Sequence, residues 1–146
     1  MPLLARWFVK TALIYLAAGV GLGGLLLMDK ALGFSGWLWE LRPLHIEWLF
    51  LGWTLQLALG VASWILPRAS LPDRRIALGW LSFVLLNVGL ILSALACLVP
   101  ILVVGLKLDW LFPEAALAPV ASVIILAIYL WPRIGFVPPG MLRMKS

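Results

Sequence analysis

Hydrophobic positions in this chain gather into four long, nearly unbroken runs separated by short polar stretches. The runs cover about residues 8–28, 46–66, 76–99 and 111–131; the third can continue past Pro100, and Pro113 and Pro119 lie near the start of the fourth. Bilayer hydrocarbon is about 30 Å thick and a helix rises about 1.5 Å per residue, so about 20 apolar residues span it. Backbone groups in lipid must be satisfied internally, which a helix achieves within one segment, and the short alternating segments of a barrel are missing. The pattern predicts an all-α, integral membrane four-helix bundle, a single transmembrane domain over residues 1–146. Between the first two runs, Ala31 to Pro43 is broken early by Gly33, Ser35 and Gly36, which predicts a short helix or ordered loop on the outer surface. The tail after Pro132, with Pro138, Pro139 and Gly140, is expected to be irregular and basic at its tip.

Composition strengthens this picture. Of 146 residues, 64% are hydrophobic and 12% charged, with a mean hydropathy of +1.11. A soluble domain carries about a quarter charged residues, so the bilayer must be the solvent. Arg6 and Lys10 precede the first apolar run as they would in a cleaved signal peptide. That run is long for such a segment and ends in no clear Ala-x-Ala site, so it is expected to be retained. A net charge of +5 here does not point to nucleic acid, because the basic residues sit between the apolar runs and not in one patch. Such spacing suits anionic headgroups and sets topology. Cys97, the only cysteine, cannot form an internal disulfide.

Orientation follows from the loop charges. One side holds eight basic residues, Arg6, Lys10, Arg68, Arg74, Arg75, Arg133, Arg143 and Lys145; the other holds three, Lys30, Arg42 and Lys107. Both termini are therefore expected in the cytoplasm, in the inner membrane of a bacterium. Trp7, Trp64, Trp80 and Trp131 fall near the inner helix ends, and Trp37, Trp39, Trp48 and Trp110 near the outer ones. These read as interfacial belts, and only Trp53 lies well inside a span.

Candidate chemistry is concentrated on the second helix. At about 100° per residue, Gly52, Gln56 and Ser63 project within about 20° of His45, the only histidine. A polar and small-residue stripe on an embedded helix is expected to face protein. Neutral imidazole is a good iron ligand, whereas the plain alternative has His45 resting among headgroups. Gly19 and Gly23 form a small-xxx-small pair suited to close helix packing. A broad small face in the third helix (Gly79, Ser82, Leu86, Gly89, Ser93, Cys97) is expected to be buried, with Asn87 on another face as a packing amide. Glu47 reads as a solvated carboxylate beside Arg42. No acid or base lies deep in a span, which argues against a proton-coupled antiporter. No phosphate loop, Cys-x-x-Cys, nucleophile elbow or zinc motif is present, so the chain is not expected to be an enzyme on its own.

The stretch from His45 through Glu47, Trp48, Gly52 and Trp53 to Pro67-Arg68 resembles the second helix of subunit I of haem-copper oxidases, nearest the cbb3-type and nitric-oxide-reductase branch. The likeness covers about Leu41 to Arg68, and the first helix with Gly19, Gly21, Gly23 and Gly24 is similar in style. It implies a haem b site with His45 as axial ligand, in a cleft beside Gly52 and Gln56, and membership of a redox complex or a homodimer. The chain departs from that family in length and in having no other histidine. It therefore implies no copper site, and a second haem ligand would come from another copy, a partner, or Met28 at the outer end of the first helix. A cofactor-free structural or assembly subunit is the alternative reading, and a small permease the third.

Overall fold

A computed structural model describes residues 1–66, 73–103, 108 and 110–134, with residues 73–75 in backbone only. The expected tail conformation beyond residue 134, and several of the loop charges used for orientation, lie outside the described residues. Helix α1 is Leu3–Leu32; α2 covers residues 42–65 after a 3-10 turn at Leu38–Leu41; α3 is Asp73–Leu102; and α4 is Leu111–Leu130, followed by a 3-10 turn at Trp131–Arg133. All four are long and apolar enough to cross a membrane, and no strand occurs among the described residues. The fold is thus the all-α membrane four-helix bundle that the hydrophobic pattern predicts. Its terminal end carries Leu3, Ile65 and Leu130; its far end carries Leu32, Leu38 and Leu111.

Helix α1 outruns its apolar core at both ends, because flanking charged residues continue the helix. Arg6 and Lys10 are exposed, as long side chains are when their stems follow apolar surface. Gly33 stops the helix with φ at 63°, its N–H bonding Asp29 O at 2.7 Å, since a left-handed cap favours glycine. The Asp29 carboxylate is buried and accepts the Ser35 N–H at 2.7 Å, which turns the chain back. Leu38 and Leu41 of the 3-10 turn then bury against Leu26 and Leu44. The connection is therefore the short, ordered element expected there, and its two leucines plug the far end. Helix α3 does run through Pro100.

Helices α1 and α2 pack antiparallel, each rung setting a glycine or small residue against a larger side chain. A Cβ added to Gly23 would meet the His45 ring at 2.5 Å, one at Gly19 the Leu49 side chain at 2.7 Å, one at Gly52 the Tyr15 ring at 2.6 Å, and one at Gly60 Phe8 at 2.8 Å. Between those rungs, Gln56 Nε2 donates to Thr11 Oγ1, and Thr11 Oγ1 donates to Trp7 O at 2.8 Å. The expected small stripe thus faces protein, against α1. Helices α3 and α4 are held by two fully buried serines: Ser82 Oγ donates to Ser122 O at 2.9 Å, and Ser122 Oγ to Ser82 O at 2.7 Å. Beside them, the Pro119 ring lies against Gly89. Phe8, Leu86, Leu90 and Leu126 join the two hairpins in a core with no exposure.

Six tryptophans, Trp7, Trp64, Trp131, Trp37, Trp39 and Trp110, are exposed near the two ends. Trp48 and Trp80 depart from the expected belt. Both are half-buried, Trp48 edge-on to Tyr15 at 6.1 Å and Trp80 edge-on to Phe83 at 6.0 Å.

The rungs predict a sharp contrast between two glycines. Gly52→Ala should destabilise the bundle by about 1–3 kcal/mol, the usual cost of overpacking. Gly24→Ala, with nothing within 4 Å of the new methyl, should stay within about 0.5 kcal/mol of wild type. Unfolding midpoints in mixed detergent micelles would check both.

Candidate functional site

His45 enters α2 just after Pro43, which suits a first turn because its missing N–H has no helical partner there. The ring lies over Gly23, and Nδ1 is 2.8 Å from the Gly19 carbonyl oxygen. A carbonyl only accepts, so Nδ1 carries a proton, and in a neutral ring it is Nε2 that presents the lone pair. Nε2 has no hydrogen-bond partner among the described residues. The half-buried ring lines a cleft of about 490 Å³ together with Gly23, Gly24, Trp39, Arg42 and Leu49.

Other expected site residues lie elsewhere. Tyr15 fills the space beside Gly52, and Gln56 is fully buried against Thr11 with its Oε1 unpartnered. Both glycine and amide share the α1-facing side of α2 with His45, but neither lines the His45 cleft. Met28 is 53% exposed at the far end of α1 and does not line it either. No group of three or more His, Cys, Asp or Glu side chains able to hold a metal occurs among the described residues.

Glu47 differs from the solvated carboxylate that its neighbour Arg42 suggests. Two residues beyond His45, it points towards α3, where Ser93 Oγ donates to its Oε2. Spacing by two residues turns a helical side chain about 200°, so a histidine fixed against α1 sends Glu47 the opposite way. Residues Trp48–Leu55 just below form a π-helical segment, in which Thr54 Oγ1 donates to Leu49 O five residues back at 3.0 Å. Such segments are uncommon and recur at functional sites; nothing in the apolar pattern announces this one.

At the terminal end, Arg133 is 2% exposed, although its loop position suggests an aqueous topogenic charge. Its guanidinium donates to Leu66 O at 2.7 Å, Ser63 O at 3.2 Å and Tyr129 Oη at 3.3 Å. A cation on the last free carbonyls of a helix satisfies groups that have no intrahelical partner. The only sequence signal is Arg133 directly after Trp131-Pro132, where the chain leaves α4. Asn87 bonds its own helix, donating to Phe83 O at 2.8 Å. The small face of α3 is buried from Gly79 to Ser93 and half-buried at Cys97.

No protein-family model, curated protein or solved structure matches the chain.

Arg133→Met should leave the Ser63 and Leu66 carbonyls without this donor and lower stability by about 1–3 kcal/mol. Arg133→Lys should recover only part of that, because a single ammonium lacks the fork that reaches several acceptors. Equilibrium unfolding of the three proteins side by side would measure the difference.

Proposed function

We propose that this chain is a redox-associated integral membrane subunit in which His45 is an axial ligand of haem b. The observation that carries the reading is the state of the imidazole. Metal-ligating histidines commonly have one ring nitrogen held by a carbonyl or carboxylate and the other free, and His45 gives Nδ1–H to Gly19 while Nε2 stays unpartnered. Arg42 and Trp39 line the same cleft, and arginine is well suited to carboxylates such as those a haem carries. The resemblance of residues 41–68 to the second helix of haem-copper oxidase subunit I points the same way.

Haem bound there would supply one-electron transfer. The chain's part is to fix the tautomer and direction of His45 and to shape an apolar wall with Gly23, Gly24 and Leu49. His45 is the only histidine, so a second protein ligand to the haem would come from another copy or from a partner subunit of a redox complex. Met28, turned out to 53% exposure, serves that role only across an interface. The reading includes no copper site and no self-sufficient enzyme. On the loop charges, both termini lie in the cytoplasm and the far end faces outwards across a bacterial inner membrane.

A cofactor-free structural or assembly subunit is the second reading. It is favoured by the close fit of α1 on α2, where Tyr15 occupies the space beside Gly52 and the His45–Gly19 bond itself locks two helices. A permease draws little support, since the amide nitrogens of Gln56 and Asn87 are engaged with Thr11 Oγ1 and Phe83 O.

An absorption spectrum of protein purified in mild detergent from haem-replete cells, oxidised and then dithionite-reduced, decides between the first two. Sharp reduced haem b bands that vanish in His45→Ala are the expected result; a featureless spectrum at good purity favours the cofactor-free subunit. For topology, reporters active only in the cytoplasm should work at either terminus, and a periplasm-dependent reporter should work when inserted near Ser35 and fail at either terminus.

A further inference from the structure

A second cleft opens on the opposite side of α2 from His45. Because α2 packs on α1 and α4 packs on α3, α2 and α4 barely meet. The space between them holds about 560 Å³, within the roughly 300–1,000 Å³ typical of small-molecule sites. Leu51 and Leu55 wall it on one side, and Ala116, Pro119 and Val123 on the other. Among the described residues, Glu47 and Ser93 are the only polar side chains lining it, and Phe112, in the first turn of α4, adds an aromatic face.

Glu47 is the feature that an apolar packing gap does not need. Ser93 donates to one carboxyl oxygen; the other makes no hydrogen bond among the described residues. A lipid chain lying in the cleft would leave that oxygen against methylene groups, which is costly for a polar atom. The cleft therefore calls for an amphiphile with an apolar body and a single-ended O–H or N–H donor. Arg42 and Glu47 also line a shallower adjoining cleft with Phe50 and Leu51, so a cationic head would approach a fixed positive charge. A neutral, flat, hydroxyl-bearing ring meets all of these conditions.

We propose that the α2–α4 cleft binds the head of a lipid-soluble hydroquinone, with one ring hydroxyl donating to Glu47, the ring beside Phe112 and the tail running along Leu55 and Val123. This is a binding site on a different face from His45, and it stands whether or not haem is bound.

The test uses the full chain in detergent micelles and measures retention of decylubiquinol, kept reduced under argon, by equilibrium dialysis and chromatography. The dimethyl ether of the same compound, which has no hydroxyl, and dodecylamine are run beside it. Saturable binding of one quinol per chain is expected, with the ether at least about tenfold weaker, the scale of a lost hydrogen bond to a buried acceptor. Glu47→Leu should lose a similar factor. Ala116→Phe, on an exposed position of α4 that also lines the cleft, should abolish binding with Glu47 intact. Unchanged elution and melting of each variant exclude misfolding as the cause. The proposal is overturned if quinol and ether bind alike, if Glu47→Leu binds as wild type, or if dodecylamine binds while the quinol does not.

Discussion

The contact between α1 and α2 pairs bulk with glycine at successive rungs, and most of the bundle's geometry depends on it. In lipid there is little hydrophobic drive between helices, so association rests on close packing and interhelical hydrogen bonds. Gly23, Gly19, Gly52 and Gly60 each receive a side chain that a methyl group would obstruct. This fixes both the height and the rotation of α2. With His45 seated on Gly23, Glu47 is turned to α3, where Ser93 meets it. Two polar side chains at nearly the same height are thereby drawn out of the lipid towards different helices by one packing register.

Polar groups in the spans divide into two kinds. Thr11, Ser63 and Asn87 return a hydrogen bond to their own helix three or four residues back, which satisfies them at no cost to neighbouring helices. His45, Gln56, Glu47 and the Ser82–Ser122 pair instead cross between helices. The serine pair is mutual and closed, so it reads as a clasp. The other three keep something in reserve: Nε2 of His45, Oε1 of Gln56 and one oxygen of Glu47. Buried polar groups are normally satisfied, and unmet capacity next to a cleft, as at His45 and Glu47, is where a ligand gains most. Gln56 has no such opening beside it in the clefts described above, which leaves it as a packing residue with an orphaned acceptor.

Much of the fold was legible because hydropathy over about 20 residues answers one physical question, whether a helix can lie in lipid. The small stripe on α2 and the small face of α3 were legible for a related reason: residues that are poor lipid-facing choices must face protein. Their partners were not legible. Nothing in the sequence says that Tyr15 fills the space beside Gly52, since that depends on how far α1 slides along α2. Glu47 reads as solvated because its neighbours in sequence are a loop and a charge, and the contacts of Glu47 and Arg133 were not legible because Ser93 and the end of α2 are distant in the chain. The π-helical segment escaped because its residues, Trp48 to Leu55, fit an α-helix equally well by propensity. For the candidate site, the sequence singled out His45 and gave no sign of the α2–α4 cleft.

The two halves of the bundle are built differently, and this bears on where chemistry can occur. At the terminal end, Arg133 ties α4 to the end of α2, and Phe8, Leu86, Leu90 and Leu126 leave no exposed core. The groove along the lipid face there, beside Trp53, Leu57 and Val61, is almost wholly apolar, as expected of surface that meets acyl chains. Towards the far end, the imidazole and the carboxyl each border a cleft. Rigid support at one end and largely apolar clefts edged by a few polar side chains at the other is what positioning a ligand requires, because side chains hold their geometry only when the elements carrying them cannot shift. Since one register sets both His45 and Glu47, a change that slides α1 along α2 alters both clefts together, whereas a change confined to the α4 wall reaches only the carboxyl side.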